Sequence, residues 1–380
     1  MAEASGLRAA VVGISTTPVC GVRDHATLLA EELSGRGLSC SWHWLSRQPH
    51  AAPAQRRELA AWAARLPGEF EREQAQLVIL HYSVFAYSHR GLPIHVPAVT
   101  GALRRSGLPV VLFIHEAVYP WTIGGLRGKV WAASQRVALL EVIRGAAGVL
   151  VTAEFRARWL ASRRWLPRRP LAVAPVFSNL PAPVARGVAP GPGVDIGLFG
   201  YAYEGADLAP VLGAFRLLRD RGREVRLRLL GAPGPDSEAA EQWRREAQAA
   251  GVGELLSFSG MLPAQELSDQ LAGCRILLSI AGAGPTSRKG SLAGSLASGT
   301  PLIALDGPLR WQEIVDAGAL RLVPRLAGAL AAAIESLLDD PAGSAELGRR
   351  GRQFAEGPMG VGQSAAALLG LVGTLGLAGP

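Results

Sequence analysis

Five consecutive residues, Ser287, Arg288, Lys289, Gly290 and Ser291, bring two hydroxyls, two cations and a glycine to one point of the chain. The small residues that follow predict a helix over 291–297. The first N–H groups of a helix have no internal partner and carry partial positive charge. Arg288 and Lys289 add charge of the same sign, so the arrangement repels itself unless an anion sits there. A phosphate would accept from the free N–H groups, both hydroxyls and both cations. Gly290 lets backbone approach closely. Lysine occurs only here and at Lys129, so Lys289 stands out. A second reading is an ordinary buried helix preceded by two solvated cations.

Other groups suit chemistry less specifically. His115 ends an apolar run next to Glu116, where an imidazole can donate to a substrate hydroxyl and a carboxylate can act as base or orient it. His81 ends another such run and is a second candidate for substrate contact. His25 follows a glycine loop and is expected on a helix surface, with a place near phosphates as the other reading. Residues 156–169 interleave arginines with Trp159 and Trp165. They suit either a solvated helix with inward tryptophans or a patch meeting anionic lipid.

These groups need elements to hold them. Short apolar runs at 7–14, 38–44, 77–81, 109–115 and 148–152 suit parallel strands, the fully apolar ones buried on both faces. Helical spacing appears at 25–33, 56–66 and 127–143. Residues 181–193 are rich in proline and glycine and read as a linker. The alternation then restarts. Strands are expected at 194–199, 225–230, 255–258, 276–279 and 301–305. Helices are expected at 208–219, 238–250, 264–272 and 291–297. Asp339 and Asp340 before a proline read as a helix end. Two βα series mean an α/β protein with two doubly wound, parallel-sheet, Rossmann-like domains. A ligand site is expected in the cleft they face.

Composition bounds the function. The 380 residues suffice for two cores, and a formal charge of +8 favours anionic partners. Three cysteines in no zinc spacing point to a reducing cytoplasm. The start lacks a basic then apolar leader pattern, and the apolar tail at 365–377 reads as a docked helix rather than a membrane span. No GxGxxG opens either series and no GxxxxGK[ST] is present, which disfavours nicotinamide dehydrogenases and P-loop enzymes. No nucleic-acid motif supports the basic charge.

Several segments together carry a resemblance. Ala293–Ala304 ends in SGTPLIA. Cys20-Gly21-Val22 precedes a leucine-rich helix and Arg36-Gly37. Residues 109–116 read PVVLFIHE, and residues 258–263 read FSGMLP, followed by Leu267 and Leu271. In this order they resemble GT-B glycosyltransferases, most closely the retaining glycosyltransferase family 4 group. The resemblance implies GT-B architecture, a nucleotide-diphosphate sugar as co-substrate without a further cofactor, and retention of configuration. It places Gly21 in a first glycine loop beside the diphosphate and His115 near the sugar. It also places two glutamates at the positions of Thr286 and Gly294, beside the sugar and the ribose. Neither position is acidic here. The family's Arg and Lys after the first strand of the second domain are missing too, since residues 200–205 read GYAYEG. Arg288 and Lys289 are expected to replace that pair. With no DxD triplet, a metal-independent reaction is expected.

The expectation is thus a cytoplasmic glycosyltransferase of the hexosyltransferase type, with peripheral contact at the inner membrane face through residues 156–169 as an option. Residues 1–180 form the acceptor-side domain, 181–193 the linker and 194–356 the nucleotide-sugar domain. Residues 357–380 return toward the first domain. Catalytic candidates are His115 and Glu116. Gly21, Ser287, Arg288, Lys289, Gly290 and Ser291 hold the diphosphate. Gly200, Tyr201, Thr286 and Gly294 line the nucleotide and sugar pocket, and no metal ligand is expected. The acceptor is a glycan, a lipid-linked sugar or a small molecule, and no nucleic acid is involved. Alternatives are a catalytically silent GT-B protein, or hydrolysis or epimerisation of a nucleotide sugar.

Overall fold

The computed structural model describes residues 6–17, 20–47, 53–184, 193–202 and 207–377. The chain divides into two compact units, residues 1–175 with 361–380, and residues 176–360. Most of the expected linker (185–192) and half of the 200–205 segment (203–205) lie outside the described residues.

The first unit begins with β1 (Arg8–Ser15), α1 (Gly21–Gly35), β2 (Ser39–Ser46), α2 (Pro53–Arg72) and β3 (Leu77–Ser83). It continues with α3 (Val96–Ser106), β4 (Val110–Glu116), α4 (Gly125–Gly145), β5 (Gly148–Val151), α5 (Glu154–Ala161) and β6 (Leu171–Val173). Its six strands are parallel, in the order β2-β1-β3-β4-β5-β6. β3 is buried along its whole length, as a strand covered by helices on both faces must be. α2 outruns its expected end at residue 66. It continues through Pro67, and the added turns bury Phe70.

The second unit holds β7 (Val194–Phe199), α6 (Ala209–Asp220), β8 (Val225–Leu230), α7 (Glu238–Ala249), β9 (Leu256–Phe258), α8 (Ala264–Gly273) and β10 (Ile276–Ser279). After these come α9 (Gly290–Ala297), β11 (Leu302–Leu305), α10 (Gln312–Asp316), β12 (Arg321–Val323), α11 (Ala327–Asp339) and α12 (Pro341–Glu356). The parallel order is β12-β11-β10-β7-β8-β9, which is the dinucleotide-fold order. Asp340 ends one helix and caps the next, its side chain accepting from the Gly343 N–H at 2.9 Å.

The last helix, α13 (Val361–Thr374), packs on α1, β5 and β6 of the first unit. Leu368 and Leu371 are buried there, and the Ser364 hydroxyl donates to the Pro175 carbonyl at 2.8 Å. No helix among the described residues is long and apolar enough to cross a membrane.

Candidate functional site

An open α/β sheet binds ligands outside the carboxyl ends of its strands, where the strand order reverses. In the second unit that point lies between β7 and β10. Gly200 follows β7 with φ +69°, and a Cβ there would lie 3.6 Å from the Ser291 Cβ. Ser291 is in the first turn of α9, so the two chain segments meet at the head of that helix.

The loop from β10 to α9 is held on several sides. The Leu309 N–H donates to the Ala283 carbonyl at 2.9 Å, and the Trp311 N–H donates to the Pro285 carbonyl at 2.7 Å. Gly307 presses on the same loop, where a Cβ would stand 2.2 Å from the Gly284 nitrogen. The Val176 N–H donates to the Ser287 carbonyl at 2.8 Å, and Arg325 donates to the Ala281 carbonyl at 3.2 Å. Such bracing fixes the backbone before any ligand arrives.

α9 starts one residue earlier than expected, with Lys289 as its N-cap and no capping side chain. Its first turn contains no acidic residue. Arg288, Lys289, Gly290 and Ser291 are half-buried, whereas Thr286 and Ser287 are buried. The Thr286 hydroxyl has no hydrogen-bond partner. A buried hydroxyl left without any partner costs about 1–3 kcal/mol.

The other pocket candidates are less open. Tyr201 is buried, its hydroxyl accepts from the Gly234 N–H at 3.0 Å, and its carbonyl accepts from the Trp243 indole at 3.1 Å. At Gly294 a Cβ would stand 3.0 Å from the Phe199 ring and 3.1 Å from the Leu180 side chain. Phe199 and Leu180 thus crowd the small face of α9 at this point, and a side chain there would have to push them back by a few tenths of an ångström.

The first unit has its own reversal point, between β1 and β3. His81 and Phe113 are register partners on β3 and β4, and His115 follows two residues on. The His81 Nδ1 and His115 Nε2 atoms are 2.9 Å apart. His25 of α1 closes the group, its ring 5.1 Å from His115 and 6.2 Å from His81. His25 and His81 are buried and His115 half-buried, so the expectation of a surface position for His25 is corrected. Burial lowers the His25 pKa to about 3. It also holds His81 and His115 well below the usual imidazole range, with the neighbouring histidines, and Arg156 for His115, adding to the effect.

Glu116 is exposed at the strand end and accepts from the Ser83 hydroxyl at 2.5 Å. Gly21 opens α1, where an added Cβ would meet nothing within 4 Å. Arg156 donates to the His115 carbonyl and, at 3.0 Å, to the Thr152 hydroxyl. In the same arginine-rich segment, the Arg163 guanidinium carbon lies 5.1 Å from the centroid of the Trp159 ring, and Trp165 is exposed.

Sequence reasoning gave His81 and His115 separate roles and missed that they meet His25. The available signal was histidine near the carboxyl end of two apolar strands, with a third at the head of the first helix. Only the sheet order turns that signal into a cluster.

Residues 195–340 match the family model described as glycosyl transferases group 1. The matched stretch lies within the second unit. No curated protein matches the chain significantly. Among solved structures, sucrose-phosphate synthase from Thermosynechococcus elongatus is similar with 19% identity and TM-score 0.66, over 97% of this chain and 99% of that one. A glycosyltransferase from Rickettsia africae is 11% identical with TM-score 0.64, over 97% and 98% of the two chains. UDP-GlcNAc 2-epimerase from Neisseria meningitidis, bound to UDP-GlcNAc, is 11% identical with TM-score 0.57, over 97% and 100%. These likenesses establish the two-domain, Rossmann-like GT-B fold.

Proposed function

We propose that the protein moves a sugar, of the hexosyl type, from a nucleotide-diphosphate donor to a hydroxyl acceptor, with retention of configuration and without a metal ion on the diphosphate. The observation that carries this is the cationic, acid-free head of α9 inside the matched stretch. In this reading the second unit binds the nucleotide and the first unit presents the acceptor, a glycan, lipid-linked sugar or small molecule.

The chemistry follows from charge. When the bond between the sugar C1 and the phosphate oxygen breaks, negative charge grows on the diphosphate. The free N–H groups of α9, Arg288, Lys289 and the hydroxyls of Ser287 and Ser291 stabilise that charge without reorganising. The acceptor oxygen bonds to C1 on the same face, and its proton passes to the departing phosphate oxygen. His115 hydrogen-bonds the sugar, and Glu116 orients the acceptor. Thr286 offers its unspent hydroxyl where the resembling family has a carboxylate beside the sugar. With Gly294 crowded by Phe199, the ribose is held by groups other than a residue-294 carboxylate.

The experiment is transfer of radiolabelled sugar from a panel of nucleotide sugars by wild type and Lys289→Ala. Turnover with one donor, reduced at least tenfold in the variant, supports the reading. Binding of a nucleotide without turnover on any acceptor favours a silent GT-B protein instead. Consumption of donor without acceptor favours hydrolysis or epimerisation. Location at the cytoplasmic face, with residues 156–169 on anionic lipid, belongs to the same proposal. Failure to float with anionic vesicles at low salt removes it.

A further inference from the structure

Of the three histidines at the reversal point of the first unit, the proposed transfer uses His115 and leaves His25 and His81 without a role. Their ligand atoms, one from each of His25, His81 and His115, all lie within 4.8 Å of one another. Each comes from a different element, two from adjacent central strands and one from the helix packed over them. We propose that these imidazoles form a binding site for a divalent transition-metal ion of the zinc type, with His25, His81 and His115 as its three protein ligands.

The geometry needs little change. Four-coordinate zinc binds imidazole nitrogen at about 2.0–2.1 Å, which sets neighbouring nitrogens about 3.3 Å apart. The His81 and His115 nitrogens already stand 2.9 Å apart. Imidazole ring rotation draws in the widest separation while the backbone stays in place. The proton shared by His81 and His115 moves to the other nitrogen of its own ring. Both facing lone pairs then point to the ion, and no proton is gained or lost.

The donor set selects the ion. Imidazole suits zinc, cobalt, nickel and copper, whereas calcium and magnesium need oxygen ligands, and this cluster offers none. Phe113 stacks on His81 and His115 with ring centroids 5.3 and 4.8 Å away, and Trp44 lies 6.1 Å from His81. These rings line the cluster with apolar surface. His115 alone is half-buried, so the fourth position faces the exposed side and takes water or an anionic ligand.

The inference stands apart from the proposed transfer reaction, because its readout needs no sugar. Untagged full-length protein, stripped with EDTA, is titrated with Co2+ and then with Zn2+. The expected result is one equivalent of Co2+ with an intense tetrahedral ligand-field band, displaced by one equivalent of Zn2+. His25→Phe and His81→Phe, which keep an aromatic ring in the core, should each weaken binding on the order of 100-fold or more, beyond the range of outer-shell substitutions. Lack of a stoichiometric band in folded wild type overturns the proposal, whether or not the variants fold. A band that survives in both folded variants also overturns it. That result assigns the ion to another site, such as His43 beside Glu69 and Glu73.

Discussion

The two units reverse their strand order in the same way and fill the reversal points with opposite chemistry. At β1 and β3 the helix head of α1 carries Asp24 in its first turn, and the space beyond is lined by three neutral imidazoles. At β7 and β10 the helix head of α9 carries no acid and follows two cations. The head of α1 has one acid, Asp24, next to the cation Arg23, whereas the head of α9 has cations and no acid, a charge that favours an anion. The sheet therefore decides where a ligand can sit, and the residues of the first helical turn decide its charge.

The largest effect should come from removing both cations at the second point. Arg288→Ala with Lys289→Ala should weaken nucleoside-diphosphate binding by about 100-fold or more, since each charge-assisted contact contributes ~1.5–3 kcal/mol. A titration showing less than a threefold change would erase the contrast between the two helix heads.

Gly307→Ala tests the bracing rather than the charge. Its Cβ would meet Gly284 backbone, which cannot yield cheaply, so a loss of about 1–3 kcal/mol is expected, by analogy with overpacked cores. Thermal unfolding reads the stability and nucleotide titration the displaced loop. Gly294→Glu, which restores the resembling family's acid, should cost a similar amount by pushing on Phe199 and Leu180. Adding Phe199→Ala should recover part of it. Full stability in the single variant would mean that the slot is open.

Thr286→Val should divide stability from function. Replacing an unsatisfied buried hydroxyl by a methyl should raise stability by about 1 kcal/mol, while sugar transfer falls. Lower stability with unchanged transfer would contradict that assignment. The smallest effect belongs to α1. Asp24→Ala should cost about 0.3–1 kcal/mol in stability and leave nucleotide affinity unchanged.

Much of the second unit is legible in its sequence because each strand is a short apolar run between turn residues. β8 and β10 fall on the expected residues, and α9 differs by one. The first unit is harder. α3 was not expected, because Pro93 and Pro97 make its approach look like loop, yet Pro97 sits in the first turn, where a missing N–H costs nothing. α5 and β6 lie in and beside an arginine-rich stretch that hides their few buried residues, such as Leu160. At the site, the charge pattern at 287–291 reads directly because its residues are contiguous. The histidine cluster and the crowding of Gly294 by Phe199 do not, because both depend on residues that only the sheet brings together.

The most direct measurement is calorimetric titration of a panel of nucleoside diphosphates into wild type and the Arg288→Ala, Lys289→Ala double variant. One nucleotide should bind the wild type at one site per chain, and the folded variant should lose about 100-fold or more in affinity. Equal affinity in both proteins, or no binding of any nucleotide to folded wild type, would contradict the assignment of the α9 head as the diphosphate site.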